Sequence, residues 1–250
     1  MKIVCIVQAR RRSTRLPNKI LLPLGGHEAL FHVLNRCQSI PGIDQVICAG
    51  VDDPYEDPIF EIAHNMGVTC FRGSENDVLS RYYLAAQEAG ADWVMRVTSD
   101  CPLFDPDVAG TLVRNTLESG TLFGANANWP HGLDCELFTF DLLEKAHLNA
   151  HTPGEREHVT LRMKRLPGLK MYHQHPPENL MLSEYYRWVL DYPEDYLFMT
   201  EIYTRLGEHA GHARWRDIVE MMAENPELKT INAGCAEKWA QENTKIHETP

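Results

Sequence analysis

The chain has 250 residues, 44% hydrophobic and 24% charged, with a formal net charge of -11. That length supports one sizeable core, and the acidic balance argues against a general nucleic-acid or anionic-membrane binder, both of which need a basic face. A small anionic substrate stays compatible with it, because a local cluster of Arg and Lys overrides the global field.

Residues 3–7 (Ile-Val-Cys-Ile-Val) are a short apolar run followed at once by Gln8 and Arg10. The run is too brief for a signal peptide and reads as a first strand. Helices are predicted over 29–38, 58–66, 77–89 and 106–118, and strands over 45–51, 68–71 and 93–97. Asp77 and Asp105 stand where N-caps are expected, and Pro106 at a first helical position. Strand–helix alternation of this kind predicts an α/β fold with a mostly parallel twisted sheet between two helical layers, Rossmann-like in plan.

The regularity breaks after about residue 123. A loop is predicted over 126–134, then a strand at 137–140, helices at 141–150 and 155–165, and a strand at 169–173. Residues 187–190 read as a strand returning to the main sheet, and 196–206 and 215–225 as closing helices. The expected organisation is one domain over 1–250, with an insertion at about 126–175 and a polar tail from about 235. No apolar stretch approaches membrane-spanning length, and the expected compartment is the cytoplasm. The seven Cys form no C-x-x-C pair and mostly sit in apolar patterns, so buried free thiols are expected.

In such a sheet, ligands bind beyond the carboxyl ends of the strands. The loop after the first strand carries Arg10, Arg11, Arg12, Arg15 and Lys19, five of the 24 Lys and Arg within ten residues. Backbone N–H groups and these cations together suit a triphosphate. Asp100 directly follows the strand at 93–97, and Asp191 follows 187–190; each can bind a magnesium ion that bridges phosphate oxygens. Asp105-Pro106-Asp107 mimics a D-x-D metal motif, but a helix cap is the simpler reading. The segment from Phe71 to Tyr82 offers hydrogen-bonding groups for a base or ribose, and a plain turn and cap explains it equally well. The polar groups around Asp134, Glu136, Glu155, Arg156 and His158 suit either a hydroxylated acceptor or an ordinary surface. The twelve His lack the H-E-x-x-H pattern of a zinc site.

Taken in order, Gln8-Ala9-Arg10, Ser13-Thr14-Arg15-Leu16-Pro17, Lys19, Phe71-Arg72-Gly73-Ser74, Asp77-Val78-Leu79, Arg81-Tyr82, Asp100-Cys101-Pro102-Leu103, Gly132-Leu133-Asp134, Glu155-Arg156-Glu157-His158 and Asp191-Tyr192-Pro193-Glu194-Asp195 resemble the cytidylyltransferase family. That family includes the CMP-sialic acid and CMP-KDO synthetases, and the likeness is strongest to its spore coat polysaccharide biosynthesis (SpsF-type) branch. The resemblance implies a nucleotide-diphospho-sugar transferase fold, CTP and a sugar-type acceptor as substrates, magnesium as cofactor, and a homodimer paired through 126–175. It places Arg10, Arg15 and Lys19 on the triphosphate and Asp100 and Asp191 on the metal, these five being the catalytic set. Gln8, Ala9, Ser13, Arg72, Gly73, Asp77, Arg81 and Thr98 complete the nucleotide site. Asp134, Glu136, Glu155, Arg156 and His158 would face the acceptor. Two departures stand out: Arg11-Arg12 replace the small residues usual before Ser-Thr-Arg, and Asn18 replaces a Gly before Lys19. Arg12 then either points outward or adds an anion contact. A glycosyltransferase of related fold that uses the Asp105/Asp107 pair, and a silent nucleotide-binding module, are the rival expectations.

Overall fold

The computed structural model describes residues 1–247, with side chains through Glu242. In chain order the elements are β1 (Ile3–Gln8), β2 (Pro23–Leu24), β3 (His27–Glu28), α1 (Ala29–Gln38), β4 (Gln45–Val51), α2 (Asp57–Asn65), β5 (Thr69–Gly73), α3 (Val78–Ala89), β6 (Trp93–Thr98) and α4 (Pro106–Ser119). There follow β7 (Phe123–Asn126), β8 (Glu136–Thr139), α5 (Phe140–Asn149), α6 (Pro153–Glu157), α7 (Leu161–Lys164), β9 (Met171–Gln174), α8 (Pro193–Leu206), α9 (Trp215–Glu224), α10 (Leu228–Ile231) and α11 (Cys235–His247).

Seven strands form one sheet in the order β5-β4-β1-β6-β8-β7-β9. All neighbours run parallel except β8, which is antiparallel to both β6 and β7. The apolar run of β1 is continuous because both of its faces are covered. Ile3, Cys5 and Val7 pack with Val33 of α1 and Leu112 of α4, whereas Val4 and Ile6 pack with Leu79 of α3 and Leu142 of α5. A third cluster, with Trp188, Leu190, Phe198 of α8 and Ile218 of α9, closes the chain over the carboxyl end of the sheet. The caps are those expected: the Asp77 carboxylate accepts from Ser80 N, and Asp105 accepts from Asp107 N and Val108 N with Pro106 at the first helical position.

Two expectations need correcting. Residues 187–190 do not enter the sheet. The edge of β6 that they were to join is occupied by β8, and they make only an isolated bridge, Arg187 to His131. The helix expected over 155–165 is two short ones, broken where Val159 takes φ 27°. The stretch 126–175 supplies β8 and β9 to the central sheet, where Trp129 and Phe138 are 6% and 0% exposed. The polar tail begins as helix α11, and part of it lies outside the described side chains. Among the described residues no helix is long and apolar enough to cross a membrane. The Cys expectation holds with one exception: all seven are free and only Cys70 is exposed.

Candidate active site

Three segments converge at the carboxyl ends of β1 and β6. The loop after β1 folds back on itself, with Asn18 N donating to Arg11 O at 3.1 Å. Asn18 adopts φ 56°, a left-handed conformation that Asn tolerates better than most residues and that lets it replace Gly here. The reversal presents Lys19 on the first residue of a short 3-10 turn, Lys19–Leu21. Its Nζ donates to Asp100 Oδ2 at 2.6 Å and to Asp191 Oδ1 at 2.7 Å. Asp191 reaches this point because Leu190 N donates to Asp100 O at 2.8 Å, so one backbone hydrogen bond sets the two carboxylates side by side. Arg15 Nη2 donates to the same Asp191 Oδ1 at 2.9 Å.

This corner is largely shielded from water, with Lys19, Asp100 and Asp191 side chains 12%, 21% and 5% exposed. Burial pushes the Asp100 carboxyl up, but the charge and hydrogen bond of Lys19 outweigh it and hold the group well below its ordinary range. Asp191 is likewise held low: burial and the Asp100 charge oppose ionisation, and Lys19 and Arg15 overcome them. Burial also disfavours the Lys19 ammonium, yet the two carboxylates raise its pKa. Lys19, Asp100 and Asp191 are therefore all charged at neutral pH. No cluster of three or more His, Cys, Asp or Glu suited to a metal occurs among the described residues. Two carboxylates converging on one cation is nevertheless a donor set that fits magnesium, which takes one or two protein carboxylates and fills its other positions with phosphate oxygens and water.

The nucleoside residues fall on two faces of the sheet. Alternation along β5 puts Gly73 toward α3, where an added Cβ would lie 2.8 Å from Arg81 Cγ; only Gly leaves room for that side chain. Arg81 is 2% exposed, and its Nε and Nη1 make no hydrogen bond among the described residues. Gln8 Oε1 is buried and unbonded in the same way. Arg72 goes the other way, over the Phe60 ring of α2 at 3.8 Å and onto Asp57 at 2.7 Å. Asp77 caps α3 and meets Arg156 Nη1 at 3.4 Å. Ala9 is buried, its N–H bonded to Ala49 O. Ser13 Oγ accepts from Leu16 N at 3.3 Å, and Thr98 Oγ1 lies 3.3 Å from Cys101 Sγ. Arg10 is exposed, 3.9 Å from Glu157.

The residues assigned to the acceptor do not form one group. Glu136 sits in a closed network with Arg96 (3.1 Å), Thr160 (3.0 Å) and Lys164 (2.5 Å). Glu155 closes a capping box with Thr152 and accepts from His151 N at 2.9 Å. Arg156 donates to Ala150 O at 2.9 Å. His158 is the C-cap of α6. Asp134 is exposed and accepts from Gly132 N at 3.0 Å.

Arg12 resolves its two alternatives by pointing outward, to Glu75 at 2.6 Å and Asp53 at 2.8 Å. The D-x-D pair is committed elsewhere: Asp105 also accepts from Trp215 N at 2.7 Å, and Asp107 pairs with Arg214 at 2.7 Å. Sequence reasoning missed Arg187, Asp195 and Glu242. Asp195 stands in the first turn of α8, where an acid is ordinary, and only the fold shows that it holds Arg187 and the Asp191 and Tyr192 N–H groups. Glu242, on α11, accepts from Arg15 at 3.2 Å and from Tyr192 Oη at 2.8 Å.

The cytidylyltransferase family model matches residues 4–212. An uncharacterised protein of Methanocaldococcus jannaschii is 36% identical over 97% of this chain and 99% of its own. The spore coat polysaccharide biosynthesis protein SpsF of Bacillus subtilis is 28% identical over 91% of this chain and 97% of its own. A solved cytidylyltransferase from Leptospira borgpetersenii superposes with a TM-score of 0.85 at 32% identity, covering 91% of this chain and 96% of the other. The sheet order, the cationic loop after β1 and the paired carboxylates thus stand on a nucleotide-diphospho-sugar transferase fold, and the chain belongs to the cytidylyltransferase family.

Proposed function

We propose that this enzyme transfers CMP from CTP to a hydroxyl of a sugar-type acceptor and releases pyrophosphate. The observation that carries the reading is Lys19 Nζ shared between Asp100 and Asp191. The acceptor oxygen attacks the α-phosphorus in line; the new P–O bond forms as the bond to the β-phosphate bridging oxygen breaks, and the hydroxyl proton passes to solvent. Little covalent work falls to the protein, so positioning and charge carry the acceleration.

Arg10, Arg15 and Lys19 neutralise the negative charge that grows on the leaving pyrophosphate. Asp100 and Asp191 would hold magnesium, which would supply positive charge at the phosphate oxygens when bound. Lys19, relieved of the two carboxylates, is then free to serve the triphosphate. The buried and partly unbonded guanidinium of Arg81, with Gln8, supports a nucleoside site on the α3 face. Arg72, on the opposite face, is better suited to bracing β5 against α2. The likeness to a spore coat polysaccharide protein supports a role in making precursors for surface polysaccharide or glycan.

The test is pyrophosphate release with CTP, magnesium and a panel of acidic and neutral sugars. Release that requires both CTP and one class of acceptor is expected. No acceptor-dependent release, or equal use of ATP, would sink the reading.

A further inference from the structure

The two oxygens of Asp191 have separate partners. Oδ1 accepts from Lys19 and Arg15, and Oδ2 accepts from Arg187 Nη2 at 3.2 Å. Arg187 is 8% exposed and is itself clamped. Its Nε and Nη2 donate to the two oxygens of Asp195, both at 3.1 Å, and its Nη1 lies 3.0 Å from His131 Nδ1. Asp195 is 0% exposed. It accepts from the backbone N–H groups of Asp191 and Tyr192, both at 3.1 Å, and from Asn232 Nδ2 at 3.0 Å. Asn232 also donates to Arg187 O at 3.1 Å.

An Asp carboxylate turns readily about its last torsion, which is broad and two-fold. Nothing in Asp191 alone fixes the angle at which its carboxylate plane meets the reaction corner. We infer that Arg187, locked by Asp195, is a positioning residue that holds Asp191 Oδ2 and so presents Oδ1 alone to the cations of the site. The guanidinium suits this task because its planar fork spans two carboxylates at fixed angles; an ammonium at the same place keeps the charge and loses the angles. Arg187 also separates two buried carboxylates that would otherwise repel. Its own contacts are to protein groups, so it acts on the reaction only through Asp191.

The inference rests on the reading that Asp191 serves the reaction, and Asp191→Asn checks that reading separately. The full chain is compared as wild type, Asp191→Asn, Arg187→Lys and Asp195→Asn. Turnover is followed by pyrophosphate release, and metal binding by the electron paramagnetic resonance of free Mn²⁺ in the presence of CTP. Melting temperatures establish which variants fold. Arg187→Lys is expected to lose about tenfold or more in kcat, in the range that small misplacements cost. Its KM for CTP should stay within about threefold, the sign of an interaction used in the transition state rather than in binding. Mn²⁺ binding should weaken about fivefold or more. Asp195→Asn, which leaves Arg187 against Asp191 but unanchored, should lose less than Arg187→Lys, and it carries the test if the lysine variant does not fold. Full turnover and Mn²⁺ binding in Arg187→Lys, with both lost in Asp191→Asn, would overturn the positioning role and leave charge as sufficient. Full turnover in folded Asp195→Asn would also overturn it. Unchanged turnover and Mn²⁺ binding in Asp191→Asn would instead overturn the role given to Asp191, and the inference with it.

Discussion

Two buried charge clusters lie at the carboxyl side of β6, and their partners are arranged differently. In one, the Lys19 ammonium bridges two carboxylates, Asp100 and Asp191, the second of which also meets Arg15 and Arg187. In the other a single carboxylate, Glu136, is shared by Arg96, Lys164 and the Thr160 hydroxyl. Both show the perturbed ionisation often used to find active sites. Burial pushes Glu136 up just as it does Asp100, and neighbouring cations bring both back below the ordinary carboxylate range. Perturbation therefore fails to separate them, and the arrangement of partners succeeds. Glu136 joins β8 to β6 and α7 with its charge already neutralised, which is a structural tie. Asp100 and Asp191 repel each other and stay ionised through Lys19 between them, helped at Asp191 by Arg15 and Arg187. A site that needs a cation can exchange one, which a tie between fixed elements has no reason to do.

The largest effect that sharpens this contrast is on turnover. Asp100→Asn keeps volume and removes charge, and is expected to lower pyrophosphate release by ~10²-fold or more, as deleting one electrostatic stabiliser does. The same variant alters the pH dependence of stability. The native Asp100 pKa lies below its ordinary value of 3.8. The carboxylate therefore stabilises the fold above about that pH, and this contribution is lost as pH falls further through the native pKa. Melting temperatures taken between pH 5 and pH 2 should fall less steeply for Asp100→Asn than for wild type. Parallel curves would mean that Lys19 does not favour the ionised form.

Removing the shared cation is next in size and acts on stability. Lys19→Met leaves two carboxylates facing each other with one cation fewer, and is expected to cost about 3–5 kcal/mol without added metal, as breaking a buried pair does. If magnesium takes the place between Asp100 and Asp191, it should recover much of that loss and raise the melting temperature of Lys19→Met more than that of wild type, where the ammonium competes. Equal magnesium shifts in the two proteins would show that the metal binds elsewhere.

The same contrast explains what the sequence could reveal. Local signals located β4 and α1 to the residue, and the Asp105 cap with its proline. They singled out Asp100 and Asp191, each following an apolar run, and the structure brings the two together at Lys19. What failed was non-local pairing. Nothing in the run 187–190 says that β8 will take the edge of β6 first, so a buried apolar segment was read as a strand when it is an extended loop. The resemblance groups Arg72 with Arg81, and alternation along β5 sends Arg72 to the face opposite Arg81. Glu136 and Glu155 stand near the acceptor only by what the resemblance implies. The Lys164 partner of Glu136 becomes visible only in three dimensions, whereas the Thr152-x-x-Glu155 spacing is itself a capping-box signal in the sequence.

Glu136→Gln tests the structural side of the comparison. Three groups lose their ionic acceptor, and with Lys164 43% exposed and screened by water the expected cost is modest, about 1–3 kcal/mol in chemical denaturation. Turnover and acceptor KM should move by less than about threefold, since kinetic change would require lost contact with the reactants. A raised acceptor KM at unchanged stability would transfer Glu136 from the tie to the site and break the comparison.

The smallest expected effect concerns the helix that lies across the cationic loop. Arg15, offered here to the triphosphate, has two carboxylate partners in this structure, Asp191 at 2.9 Å and Glu242 at 3.2 Å. Glu242 stands on α11, beyond the residues 4–212 that the family model spans. It is held by Tyr192 Oη at 2.8 Å, and α11 is tied down again by Lys238 to Glu194 at 2.6 Å. A phosphate group that uses Arg15 must share the guanidinium with Glu242 or displace it. The Glu242 side chain is 50% exposed, so water screens the ion pair and its contribution is small. Replacing it with Gln removes the competing charge and keeps the shape. Nucleotide affinity should therefore rise by only about two- to fivefold, as relief of a screened pair allows. Titration calorimetry with CTP and with pyrophosphate at low and high salt would measure it. The gain should appear for both ligands and shrink with salt, because it comes from relieved competition between anions. A loss of affinity in Glu242→Gln would reverse the conclusion: Glu242 would then be holding Arg15 in place for the phosphate, and α11 would belong to the binding site.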